Sequence, residues 1–220
     1  MRHVIALAVL PAAALVVALP GCQKEEPAPP AETVAAPPPA TEPAPTAATK
    51  GAERPESAKE RPYPAAKGTV VKLITDRGEI VMELYDDKMP ATVRHFTQLV
   101  ADEFYDGRAF YRVEDWVIQA GAKDPPPDVP KLRFETSPDC MHDAGAVGMA
   151  RTSDPNSASS EFYIVKRDAH ELDDAVRQRQ TGGRERGYAC FGRVIEGMDV
   201  VQTTVPDDRI IAAYIVQEPG

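Results

Sequence analysis

Large aromatic side chains are scarce in this chain: the 220 residues hold one Trp, six Phe and seven Tyr. The few aromatics therefore mark the places where a core or a pocket is built. Three cysteines are too few for a disulfide-dense scaffold. Four histidines give little material for a metal centre. His142, His170, Glu171 and Asp173 are near one another in sequence, but their spacing fits no established ligand pattern. Ser157, Ser159 and Ser160 lack a histidine partner of the kind a serine hydrolase needs. The net charge of -9 comes without a basic patch or stripe, so nucleic acid is a poor candidate partner. Acidic balance instead favours solubility and neutral or basic client chains. The one long apolar run, Val4 to Leu19, is interrupted by Pro11 and is too short for a convincing membrane span.

That run follows Arg2 and His3 and reads as a secretory leader over residues 1–21. Its end, Leu19-Pro20-Gly21-Cys22, resembles a bacterial lipobox, although Pro20 is unusual there. The resemblance implies cleavage before Cys22 and lipid on its sulfur; the rival reading is an ordinary leader with a chance cysteine. Acyl chains contribute roughly 0.8 kcal/mol per buried CH2, so a lipidated chain is tethered to a membrane surface without spanning it. Residues 22–67 then form a Pro, Ala and Glu-rich stretch with 11 of the 22 prolines and almost no large apolar side chain. Such a composition cannot bury a core. It reads as a stalk whose reach lies between roughly 40 Å as a coil and roughly 140 Å extended. The expected location is the bacterial cell envelope, in the periplasm or another extracytoplasmic space.

The globular domain is expected over residues 68–220. Thr69 to Thr75 and Glu79 to Tyr85 alternate apolar and polar residues around Asp76-Arg77-Gly78, which predicts a hairpin. Pro90 opens a helix in which Val93, Phe96, Leu99, Val100 and Phe104 recur at helical spacing. On its other side His95 reads as a solvated residue. Further strands are expected at Ala146 to Ala150, Phe162 to Lys166, Tyr188 to Val194 and Ile210 to Gln217, with a short helix near Met198 to Thr203. Close, hairpin-linked strands predict a mainly β domain, an antiparallel barrel or sandwich with two helices.

Residues 110 to 121, Phe-Tyr-Arg-Val-Glu-Asp-Trp-Val-Ile-Gln-Ala-Gly, place an arginine and a glutamine inside a β-prone apolar run. A guanidinium among such neighbours costs desolvation unless its five donors are used, by a structural carboxylate or by a ligand. Phe110-Tyr-Arg-Val with Gln119 and Gly121, Gly148-Met-Ala-Arg through Ser160-Glu-Phe-Tyr-Ile, Leu172-Asp173 and Gly187-Tyr-Ala-Cys-Phe-Gly-Arg-Val together resemble the cyclophilin family of peptidyl-prolyl cis-trans isomerases, and most closely its exported bacterial branch. The resemblance spans about residues 69 to 205. It implies an eight-stranded antiparallel barrel capped by two helices, with a peptide groove on its outer face. Carried over by position, Arg112 is the catalytic arginine and Gln119 its polar neighbour. Phe110, Trp116, Val117, Ala150, Arg151, Tyr163, Leu172 and Tyr188 would bind the substrate.

This assignment suits the chemistry. Rotation about an amide bond faces a barrier of roughly 18 to 20 kcal/mol because resonance stiffens it, and no covalent bond is broken. A catalyst needs an apolar pocket for the pyrrolidine ring and a fixed donor for the twisted amide; it needs no cofactor and no metal. Proline-containing polypeptides are the expected clients and a monomer the expected state. The runner-up is a peptide-binding or holdase module with little turnover.

Three departures from the family pattern bear on the site. The turn between Arg112 and Trp116 is one residue short, Glu161 replaces a glutamine, and Glu171 replaces an aromatic residue. They imply reduced activity or a shift toward basic substrates. The Arg- and Gln-rich stretch Asp174 to Arg186 is expected as a mobile loop beside the site. Cys140 and Cys190 either pair in an oxidising compartment or stay as two thiols.

Overall fold

A computed structural model describes residues 66–217. The leader, Cys22 and the proline-rich stretch up to residue 65 lie outside the described residues. Eight strands form one sheet: β1 (Val70–Thr75), β2 (Gly78–Leu84), β3 (Arg112–Val113), β4 (Val117–Ala120), β5 (Ala146–Met149), β6 (Phe162–Val165), β7 (Ala189–Glu196) and β8 (Ile210–Gln217). Their order is β3-β4-β6-β5-β7-β2-β1-β8, and every pairing is antiparallel. The sheet curls until its two edges meet at a bridge between Ala109 and Arg209. There the Phe110 N–H donates to the Asp208 carbonyl at 2.8 Å, and the Gly107 N–H to that of Ile210 at 2.7 Å. These bonds join only the entries to β3 and β8, the two edge strands of the curled sheet.

The first hairpin forms as read, with both of its faces largely buried. Leu73 pairs with Ile80 and Val71 with Met82, all without exposure, while the turn falls on Asp76-Arg77 with Gly78 at φ +138°. Helix α1 (Pro90–Ala101) starts at its proline and buries Thr92, Val93, Phe96, Leu99 and Val100. Its terminus has no side-chain cap of its own. Glu135 supplies one from a distant loop, accepting from the Ala91 N–H at 3.3 Å and the Thr92 N–H at 2.8 Å. A carboxylate there satisfies orphan donors and complements the helix dipole. Phe96 carries the helix into the core, with ring centroids 5.1 Å from Tyr105, 5.4 Å from Phe162 and 5.0 Å from Phe191. Full burial of a side chain of this size contributes about 1.5–3 kcal/mol.

Helix α2 (Asp174–Thr181) and helix α3 (Met198–Thr203) complete the domain. α3 matches the expected short helix. α2 does not match expectation: the stretch read as a mobile loop begins as two helical turns, ended by Gly182 in the left-handed region at φ +63°. Ion pairs order it, as described below. Cys140 and Cys190 are both buried and both free thiols, which decides between the two readings left open. Burial pushes the Cys190 thiol up to about 12.

Candidate active site

The chain from Arg112 to Gln119 forms a small hairpin in which β3 pairs with β4 and Arg112 stands opposite Gln119. Cross-strand partners share a face, so the two polar side chains meet: Arg112 Nη1 donates to Gln119 Oε1 at 3.2 Å. The turn between the strands is tight, with the Glu114 N–H donating to the Val117 carbonyl at 2.8 Å. Glu114 then serves both sides of it. Its Oε1 accepts from Arg112 Nε at 2.7 Å and its Oε2 from Trp116 Nε1 at 2.8 Å. The hydrogen bond from Arg112 holds the Glu114 carboxyl below its ordinary range. The guanidinium carbon lies 5.3 Å from the Trp116 ring centroid. Arg112 is thus pinned at Nε and Nη1, in a planar fork that keeps further donors for a ligand.

Strand β6 extends this face, because Gln119 pairs with Tyr163 and Val117 with Val165. The alternate residues of the same strands, Ile118, Phe162 and Ile164, are 0% exposed inside the barrel. On β5, Gly148 stands opposite Tyr163. A Cβ at Gly148 would fall 2.3 Å from the Tyr163 ring, so only glycine leaves room for that aromatic side chain. Beyond β5, the Ala150 N–H donates to the Glu161 carbonyl at 2.9 Å. The Arg151 guanidinium stacks 4.4 Å from the Tyr188 ring centroid and donates from Nη2 to the Gly187 carbonyl at 2.8 Å. Tyr188 in turn donates its N–H to the Leu172 carbonyl at 2.9 Å, and its ring stands edge-on to Tyr163 at 6.2 Å. Arg112, Trp116, Gln119, Tyr163, Tyr188, Arg151 and Leu172 therefore form one connected series of contacts across five segments of chain.

The family model of cyclophilin type peptidyl-prolyl cis-trans isomerases matches residues 70–213. The chain belongs to the cyclophilin family. It is similar to a peptidyl-prolyl cis-trans isomerase of Acinetobacter baylyi, 38% identical over 143 residues that cover 62% of this chain and 72% of the relative. It is also similar to isomerase B of Escherichia coli, 32% identical over 137 residues covering 60% and 81%. Among solved structures, a cyclophilin from Hirschia baltica superposes with a TM-score of 0.56 at 21% identity, over 67% of this chain and 73% of that one. A Cryptosporidium parvum cyclophilin crystallised in the presence of the dipeptide Ala-Pro gives the same score and identity, covering 68% and 99%. At that identity the structures speak for the fold; the family model and the curated relatives make this cyclophilin a peptidyl-prolyl cis-trans isomerase.

Two of the expected contact residues offer almost no exposed surface. Phe110 is 0% exposed and packs in the core, because the chain joins Asp208 at the barrel seam before Arg112 emerges. It is a core residue and not part of the binding surface. Val117, 1% exposed, offers almost no surface. Expectation also passed over residues that the fold brings to the site. Tyr111 donates its hydroxyl to Glu161 Oε1 and accepts from Gln119 Nε2, and Lys123 sits 4.5 Å from its ring centroid. Burial first, then Glu161, pushes the Tyr111 hydroxyl well above its ordinary range. Its position beside Arg112 in the run was the available signal. His95, read as solvated, holds the Ser159 carbonyl through Nε2 at 2.6 Å. His142, considered in sequence only as a metal ligand, bonds Asp173 through Nδ1 and Tyr163 through Nε2.

Proposed function

We infer that this cyclophilin is an exported, lipid-anchored isomerase that accelerates cis-trans exchange of Xaa-Pro bonds in proteins folding outside the cytoplasm, with Arg112 as the catalytic donor. The hydrogen bond from Arg112 Nη1 to Gln119 Oε1 carries the mechanistic part. Twisting the amide localises the lone pair on the prolyl nitrogen, and a guanidinium fixed beside the pocket binds that nitrogen better in the twisted state than in the planar one. Trp116, Tyr163 and Leu172 supply apolar walls for the pyrrolidine, and Gln119 keeps the guanidinium in register. No proton is transferred and no bond is broken. Export and anchoring rest on the leader and on Leu19-Pro20-Gly21-Cys22. A Cys22→Ser chain recovered from the soluble envelope fraction, with the unaltered chain in the membrane fraction, supports the anchor; equal distribution of the two contradicts it.

One observation favours the second reading, a peptide-binding or holdase module. Glu114 engages Arg112 Nε, and Glu161 holds Tyr111 beside Gln119, so acidic groups compete for the polar machinery. Refolding of a client limited by prolyl isomerisation separates the two. A small fraction of one equivalent shortens the slow phase if the domain turns over. A holdase needs a full equivalent and slows recovery.

A further inference from the structure

Behind the aromatic face of the groove lies a buried polar chain that the isomerase mechanism leaves unused. The Tyr163 hydroxyl is 2.8 Å from His142 Nε2, and Nδ1 of the same imidazole is 2.7 Å from Asp173 Oδ1. His142 is 0% exposed, Tyr163 5% and Asp173 7%. The two rings lie nearly parallel, 17° apart. The backbone reinforces the chain: the His142 N–H donates to Asp173 Oδ1 at 2.9 Å, and the Ala169 N–H to the His142 carbonyl at 2.8 Å. Burial alone would raise the Asp173 carboxyl, but hydrogen bonds from the His142 side chain and backbone outweigh it and hold the carboxyl below its ordinary range. The anionic Asp173 carboxylate accepts from Nδ1–H, and in that tautomer Nε2 accepts from the Tyr163 hydroxyl.

The chain ties three segments together. Tyr163 belongs to β6, His142 to the loop before β5, and Asp173 directly follows Leu172, whose carbonyl holds Tyr188. Gly148 leaves the space in which the Tyr163 hydroxyl turns toward His142. A phenylalanine at 163 would fill the same volume but strand Nε2 as a buried acceptor without a donor.

We propose that the Tyr163 hydroxyl, His142 and Asp173 form a positioning network for the proline pocket, fixing the Tyr163 wall and the Leu172 wall relative to each other. The proposal rests on the reading that these two side chains face the pyrrolidine ring. His142 and Asp173 touch no substrate; they act through the walls. Because the walls grip the ring in planar and twisted states alike, breaking the network weakens binding more than turnover.

The test uses the full chain and an Ala-Pro peptide, with exchange measured over a range of peptide concentrations for the unaltered protein, Tyr163→Phe, His142→Asn and the double variant. Each single variant is expected to raise KM about tenfold with kcat within about twofold. The double variant is expected to match His142→Asn alone, because the chain is already broken. An unmoved KM in Tyr163→Phe with only a lowered thermal midpoint overturns the network in favour of a purely structural role, as do additive losses. Absence of turnover in the unaltered protein overturns the pocket reading beneath it. Should His142→Asn fail to fold, Tyr163→Phe, which removes a single oxygen atom, decides alone.

Discussion

Glu161 and Glu114 border the Arg112–Gln119 pair with negative charge. Glu161 lies 3.5 Å from Gln119 Nε2 and accepts from the Tyr111 hydroxyl, so its charge is held at the groove by two neighbours. A cationic residue beside the substrate proline would be attracted there. Glu161 is half-exposed, however, and solvent screens the attraction. Replacing Glu161 by Gln is expected to lower the preference for a Lys-flanked over a Glu-flanked Xaa-Pro peptide about threefold at low salt, the scale of an exposed charge pair. The difference should shrink as salt is added, and competition kinetics with the two peptides measures it. An unchanged ratio contradicts a role for the Glu161 charge in selection. At this scale Arg112 and Gln119 were legible because polar residues in an apolar strand need a reason. His142 was not, since its partners stand 21 and 31 residues away and become neighbours only when β6 and the residues around Leu172 pack together.

Among the elements, the first hairpin and α1 follow from periodicity, because their stability comes from one apolar face. Helix α2 buries no residue, so no apolar stripe announced it. What orders it is charge chemistry across the loop that follows. Arg186 reaches both carboxylate oxygens of Asp174 at 2.9 Å, the Gly187 N–H donates to Asp174 Oδ1 at 2.8 Å, and Arg177 pairs with Glu185. Long-range pairs of this kind leave no trace in a local pattern. Asp174→Ala removes two of these anchors, and with the Arg186 side chain exposed a loss of about 1 kcal/mol is expected. It should appear as faster amide exchange or proteolysis between residues 175 and 187 with the barrel intact. Protection equal to that of the unaltered protein would show that the pairs do not hold the element. The seam was also invisible: the pairing of Ala109 with Arg209 joins residues one hundred positions apart and draws Phe110 into the core.

For the whole molecule, three carboxylates anchor the domain in their charged form. Burial would raise Glu83, but the Lys67 N–H and Arg193 outweigh it; Asp173 is held down by His142 and Asp174 by Arg186 against the same burial. Each has a folded pKa below its unfolded one. Each therefore stabilises the fold fully above the ordinary carboxylate range and loses that contribution as pH falls through the folded value. Urea midpoints should stay level near neutrality and drop steadily below about pH 4.5. A midpoint that rises on acidification would contradict the assignment of these three groups.

The central claim is that the guanidinium of Arg112 stabilises the twisted amide. Exchange spectroscopy on an Ala-Pro peptide, with the purified protein and its Arg112→Ala variant, tests it most directly. The expected result is fast exchange with the unaltered protein and a loss of about a hundredfold or more in kcat/KM with the variant, its spectrum still that of a folded barrel. A folded Arg112→Ala variant that keeps its full rate would contradict the account.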